Sequence, residues 1–188
     1  MRWEGAKFLP CAGPAGTGPD PRLSAELVSV AAGARRRAAR GGDRQADTAH
    51  LLHGLLESDP QVRAAFTGPQ VGRLLGYLVQ RTIGYGLQWS RTVEDSGAVP
   101  VVRIGDRRRG AASDGGCSGW SPAAGLAMER ALRRARARGA GRAEGLDLLT
   151  ALACDRECRA VEVLTRAGID PALLIAHLEG GPCQQSTG

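Results

Sequence analysis

His50 and His53 follow Asp47 within two helical turns, and two imidazoles beside a carboxylate at that spacing could form part of a metal site. No further ligand cluster in the chain completes four-coordination, so His50 is expected to bond the local turn rather than hold an ion. The five cysteines (Cys11, Cys117, Cys154, Cys158 and Cys183) are odd in number and contain no C-x-x-C pair. They read as reduced cytosolic thiols, with Cys154 and Cys158 sharing a helix face or flanking its cap. A phosphate-binding P-loop needs G-x-x-x-x-G-K-[ST], whereas Lys7, the sole lysine, is followed by Phe8. G-x-S-x-G, H-E-x-x-H and S-x-x-K are likewise missing, so these residues are expected to be non-catalytic, with neither metal nor cofactor.

What must be positioned is instead a repeated unit. The segment from Leu23 to Leu56 lies over that from Trp120 to Ala153 without a gap, at a constant offset of about 97 residues. Ser24 falls on Ser121, Arg36-Arg37-Ala38 on Arg133-Arg134-Ala135, Gly42 on Gly139, Ala46 on Ala143, and Leu51-Leu52 with Leu55 on Leu148-Leu149 with Leu152. Both serines precede runs with one apolar stripe. Leu27, Val30, Ala31, Ala34 and Ala38 form the first; Leu126, Ala127, Met128, Ala131, Leu132 and Ala135 form the second. Each is therefore a capped helix ended by glycine, at Gly41-Gly42 and at Gly139.

A shorter helix follows in each half. Asp47 or Thr48 caps the first of these, and Glu144 favours the start of Leu146 to Ala153. Asp59-Pro60 then leads to Val62 and Phe66, and Gly68-Pro69 breaks the chain before Val71, Leu74, Leu75, Leu78 and Val79. In the second half Asp155 or Arg156 opens a helix carrying Val161, Val163 and Leu164. Gly168 closes it, and Asp170-Pro171 starts the last helix. The expectation is all-α, with two pseudo-twofold-related four-helix repeats and eight helices in total. The chain divides into a disordered Gly/Pro-rich tail (1–21), repeat 1 (22–89), a linker (90–119), repeat 2 (120–179) and a fraying end (180–188).

Composition agrees with such a module. At 188 residues and 43% hydrophobic content the chain can bury one helical core, made of Leu, Val and Ala because aromatics are only 4%. The net charge of +6 is almost wholly arginine and follows the joint inflation of Ala, Gly and Arg. No run approaches 18 apolar residues, and Pro10 and Gly13 cut short the apolar stretch a secretion signal would need. A cytoplasmic protein without membrane contact is expected.

In their order, Leu23-Ser24, the long helix, Gly41-Gly42, Thr48-Ala49-His50-Leu51-Leu52-His53-Gly54-Leu55 and Val163-Leu164-Thr165-Arg166-Ala167-Gly168-Ile169 resemble the Clp N-terminal repeat domain, over about Leu23 to Leu178. In that family an aromatic-Thr pair opens each repeat and Thr-Glu-His begins the second helix. The resemblance implies a domain that receives substrates, adaptor proteins and certain cyclic-peptide antibiotics for Clp unfoldases. It also implies a groove between the repeat starts, which open on Leu23-Ser24 and Trp120-Ser121, with Leu23, Trp120, Met128 and Leu132 as floor and Glu129 as polar contact. Gly115, Gly116 and Gly119 precede Trp120, so a surface position and a dominant share of binding are expected for it.

The departures matter as well. The acidic residue of Thr-Glu-His, which the resemblance assigns to gripping phosphoarginine, is Ala49 in repeat 1, and repeat 2 reads Gly145-Leu146-Asp147. Without a bidentate carboxylate, no phosphoarginine binding by that route is expected. The resulting expectation is a non-catalytic protein- or peptide-binding module acting in trans. Its partners would be Clp ATPase or protease components, substrates, adaptors or Clp-targeting cyclic peptides. The alternative is an arginine-rich helical nucleic-acid binder using Arg35-Arg36-Arg37, Arg40, Arg107-Arg108-Arg109 and Arg130 to Arg138. Arginines three or four apart form solvated faces, however, and no base-reading pattern is interleaved, so nucleic acid is not the expected partner.

Overall fold

The computed structural model describes residues 20–82, Glu94 and residues 119–180. Among these there are eight helices: α1 (Ala25–Gly41), α2 (Thr48–Ser58), α3 (Pro60–Ala64), α4 (Gly68–Thr82), α5 (Pro122–Ala137), α6 (Gly145–Ala153), α7 (Arg159–Arg166) and α8 (Pro171–Glu179). The tail, most of the segment expected as linker and the final residues lie outside the described part.

The capping chemistry is where the sequence places it. Ser24 Oγ accepts from Leu27 N–H at 3.2 Å, and Ser121 Oγ accepts from Ala124 N–H at 3.1 Å. Gly42 and Gly139 follow α1 and α5 at φ 72° and 71°, left-handed values that glycine adopts without a Cβ clash. Asp59 and Asp170 cap α3 and α8, each with proline at the first turn.

α2 is buried continuously from Thr48 to Leu56, and α6 is buried at Gly145 and from Asp147 to Ala153. Helices apolar on all sides belong inside, and these two are the centre of the molecule. The amphipathic α1 and α5 lie on them through alanine-rich faces, Ala31, Ala34 and Ala38 on one and Ala124, Ala127, Ala131 and Ala135 on the other. Small side chains bring the backbones close. At Gly54 in α2 a Cβ would stand 3.1 Å from both Val30 Cγ1 and the Val30 carbonyl.

Two boundaries differ from expectation. α7 opens at Arg159, because Asp155 closes a turn instead: its carboxylate accepts from Glu157 N–H at 3.3 Å and its carbonyl from Cys158 N–H at 3.2 Å. Gly68 and Pro69 belong to α4 itself, and the chain breaks just before them, where Thr67 N–H donates to Gln70 Oε1 at 2.8 Å. Val79, placed on an apolar face by periodicity, is exposed, and so is Leu173 on α8.

Candidate binding surface and the inter-repeat seam

The two repeats are joined by a reciprocal exchange. Leu23 forms a parallel bridge with Ala143, and Trp120 forms one with Ala46, the same pair displaced by the repeat offset. Ser24 N–H donates to the Ala143 carbonyl at 2.9 Å, and Ala143 N–H to the Arg22 carbonyl at 2.8 Å. On the other side Ser121 N–H donates to the Ala46 carbonyl and Ala46 N–H to the Gly119 carbonyl, both at 2.9 Å. The start of each repeat thus completes the α1–α2 or α5–α6 connection of the other.

This arrangement corrects the expected position of Trp120. Its backbone neighbours are pinned to Ala46, the indole is only 7% exposed, and the Arg35 guanidinium lies over the ring at 4.6 Å from its centroid. Leu23, 9% exposed, is likewise part of the core. Neither is the floor of an open groove. Ser24 and Ser121 act as helix caps. Of the expected set, Met128 and Leu132 on α5 are half-buried against the core and Glu129 beside them is exposed, 3.9 Å from Arg133 one turn on. An exposed pair of this kind contributes little, about 0–1 kcal/mol. Of the expected set Glu129 is exposed, and Ser24, Met128 and Leu132 are half-buried.

The motif at the start of α2 is structural. Asp47 Oδ1 accepts from His50 N–H at 3.0 Å while Asp47 N–H donates to His50 Nδ1 at 3.2 Å, a reciprocal cap. The other ring nitrogen, Nε2, faces Asp43 Oδ2 at 3.4 Å. In repeat 2 Asp147 takes the place of His50: its Oδ2 accepts from Glu144 N–H at 3.0 Å, and Arg138 grips the carboxylate at 3.1 and 2.6 Å. That hydrogen-bonded carboxylate holds the Arg138 guanidinium above its ordinary value. Ala49, where the family motif has its acid, is fully buried, and Leu146 is half-buried. Among the described residues no group of three His, Cys, Asp or Glu side chains is arranged to hold a metal.

The seam also contains a residue the sequence reading missed. Glu94, from the span expected as linker, is 6% exposed and its carboxylate is fully engaged. Oε2 accepts from Thr48 N–H at 2.9 Å and from Ser121 Oγ at 3.0 Å; Oε1 accepts from Arg159 N–H at 2.7 Å and from Thr48 Oγ. Thr48 Oγ in turn accepts from Ala160 N–H at 3.0 Å, and Arg159 Nη1 pairs with Asp47 Oδ2 at 2.5 Å. Beside them Cys158 starts α7 without a capping bond from its side chain, and burial pushes its thiol up to about 11. The only trace of this in the local sequence is that the residue preceding α7 is Cys158 rather than Ser, Thr, Asp or Asn.

No protein-family model matches the sequence, and none of the curated proteins matches it. Among solved structures the chain is similar to the N-terminal domain of the caseinolytic protease associated chaperone ClpD from Arabidopsis thaliana, at 19% identity and a TM-score of 0.55. The match covers 88% of this chain and 97% of that one. The chain thus has an all-helical fold like that of a Clp N-terminal domain.

Proposed function

We propose that this chain is a non-catalytic protein- or peptide-binding module that works in trans on a Clp system, as an adaptor or as a decoy that withholds a ligand. The observation that supports the reading is the double helical repeat with its reciprocal seam, a fold shared with a chaperone N-terminal domain. These residues carry no nucleotide-binding motif of their own. The surface that takes the ligand is the outer face of α5, with Met128 and Leu132 as apolar contacts and Glu129 as the polar one. Withholding is favoured over delivery, because Ala49 and Leu146 supply no carboxylate for a guanidinium-bearing degron while an apolar face suits a cyclic peptide.

The nucleic-acid alternative is weakened by how the arginines are used. Arg37 pairs with Glu57, Arg134 with Glu179 at 3.1 Å, Arg138 with Asp147, Arg159 with Asp47 and Arg166 with Glu162 at 2.8 Å, while Arg35 covers Trp120. Guanidinium groups already matched to carboxylates release fewer counterions from a phosphate backbone. The deciding experiment titrates the protein and a Glu129→Arg, Met128→Ala double variant with a Clp-targeting cyclic peptide and with purified Clp components. Binding by the wild type that the double variant loses at least tenfold supports the module. No binding of either, with salt-dependent retention of DNA instead, overturns it.

A further inference from the structure

The arginines of the two outer helices are matched unequally. On α5, Arg130 stands 3.8 Å from Asp155, Arg133 3.9 Å from Glu129, Arg134 3.1 Å from Glu179 and Arg138 2.6 Å from Asp147. At the repeat offset Gly33 corresponds to Arg130, Arg36 to Arg133 and Arg37 to Arg134. Of Arg36, Arg37 and Arg40 on α1, only Arg37 has a carboxylate, that of Glu57 on α2, which also takes His53 Nε2 at 3.0 Å. Arg36 and Arg40 are exposed and form no ion pair among the described residues.

These side chains do not spread into water as those of a solvated arginine face do. Two of them fold back over Gly33, where a Cβ would stand 3.3 Å from Arg37 Nη1 and 3.8 Å from Arg36 Nη2. Arg40 curls the same way, its Nε donating to the Arg36 carbonyl at 3.4 Å. The other repeat carries a full arginine side chain at the position of Gly33, and the lack of one here gives the guanidinium groups room to gather. Burial first, and then the charges of Arg40 and Arg36, hold Arg37 below the ordinary arginine value. Three guanidinium groups against the one Glu57 carboxylate leave two positive charges unmatched. Like charges one turn apart on a helix repel, so an anion laid across the cluster relieves a repulsion that the chain itself leaves in place.

We propose that this face of α1 is a docking surface for an acidic segment of a partner protein, with Arg36 and Arg40 each taking one carboxylate and Arg37 held beside them by Glu57. The spacing sets what fits. Four residues of helix separate Arg36 from Arg40 by about 6 Å along the axis, the separation of two acidic side chains one turn apart on a partner helix. A guanidinium takes a carboxylate through two parallel N–H···O bonds, a planar match with direction as well as charge. A nucleic-acid backbone suits the face less well, because its binding accumulates over many phosphates and α1 carries no basic residue before Arg35. The surface is on a different helix from Met128, Glu129 and Leu132, so this inference and the proposed ligand face on α5 stand or fall separately.

Fluorescence anisotropy on the full chain tests this with three labelled probes: a helical peptide carrying glutamate pairs four residues apart, the same peptide with glutamine in their place, and a DNA duplex. The glutamate peptide should bind, and more weakly as sodium chloride is raised. An Arg36→Glu, Arg40→Glu double variant should bind it at least tenfold more weakly, whereas Arg133→Glu, the equivalent of Arg36 in repeat 2, should bind it as the wild type does. All three positions are exposed, so the variants should keep the wild-type circular dichroism spectrum. Should charge reversal disturb the spectrum, Arg36→Ala, Arg40→Ala takes its place with the same expected loss. The proposal is overturned if the glutamate peptide does not bind, if the glutamine peptide binds equally, if the double variant keeps wild-type affinity, or if Arg133→Glu loses as much. Tighter binding of the duplex than of the glutamate peptide at equal ionic strength also overturns it, in favour of a phosphate-binding face.

Discussion

Trp120→Ala removes an indole that is 93% buried in the seam between the repeats. A tryptophan in such a place hides about 150–250 Å². At about 25 cal/mol per Å² that area is worth about 4–6 kcal/mol, an upper bound because an unfolded chain already hides part of it. Truncations of this kind cost about 3–5 kcal/mol once the cavity is included. The Arg35 stack adds about 0.5–1 kcal/mol, since that guanidinium remains exposed to water. A loss near 4 kcal/mol is a large share of the roughly 5–15 kcal/mol that keeps a domain folded. At about 2–4 °C per kcal/mol for a chain of this size, the melting temperature should fall by about 8–16 °C. Thermal and urea unfolding followed by far-UV circular dichroism measure this directly. Arg35→Ala should cost less than about 1 kcal/mol, and in the double variant Arg35→Ala should add nothing. A Trp120→Ala loss below about 1 kcal/mol, with an unchanged urea slope, would refute the burial argument and return Trp120 to the surface as a ligand contact.

Gly145→Ala places a Cβ 1.9 Å from Asp59 Oδ2 and 3.0 Å from Val62 Cγ2, so the carboxylate must leave the start of α3. The lost cap predicts about 1–2 kcal/mol in urea unfolding, and Asp59→Ala in the same background should add little because the cap is already gone. For Cys158, burial raises the thiol from 9.0 to about 11, so the folded protein keeps a proton that the unfolded chain has released. Its contribution is fully present below pH 9 and is lost as the pH climbs towards 11, by about 2–3 kcal/mol relative to Cys158→Ala. Iodoacetamide near pH 8 should accordingly modify the exposed Cys154 and spare Cys158, read by peptide mass spectrometry; equal labelling rates would contradict the burial.

Most of the helical frame was legible because its signals are local. Ser24, Ser121, Asp59-Pro60, Asp170-Pro171, Gly42, Gly139 and Gly168 each act within a turn of their own position, and the apolar periodicity of α1 and α5 reports a single buried face. What escaped depends on pairing across the repeats. The glycines before Trp120 suggested a surface aromatic, but bonds from its neighbours to Ala46 draw it inward, and nothing within several residues of Trp120 encodes that partner. Asp155 resembles a helix cap in sequence, yet the buried Cys158 delays the helix to Arg159. Glu94 was invisible for the same reason: its donors stand 27, 46 and 65 residues away. Of the candidate binding residues, Leu23, Ser24, Trp120 and Ser121 lie in the seam, which no local signal in the sequence encodes.

The reciprocal bridges make the seam self-complementary, since what the stretch at Leu23 offers to Ala143 the stretch at Trp120 offers to Ala46. A surface that is its own partner under a half-turn is the kind that closes homodimers, and for separate halves its formation would depend on protein concentration. Here both copies belong to one chain. Tethering presents each half to the other at an effective concentration on the order of millimolar, whatever the dilution outside. The association that would limit a dimer has become a first-order step of folding, so the paired state survives at concentrations where a two-chain version would come apart.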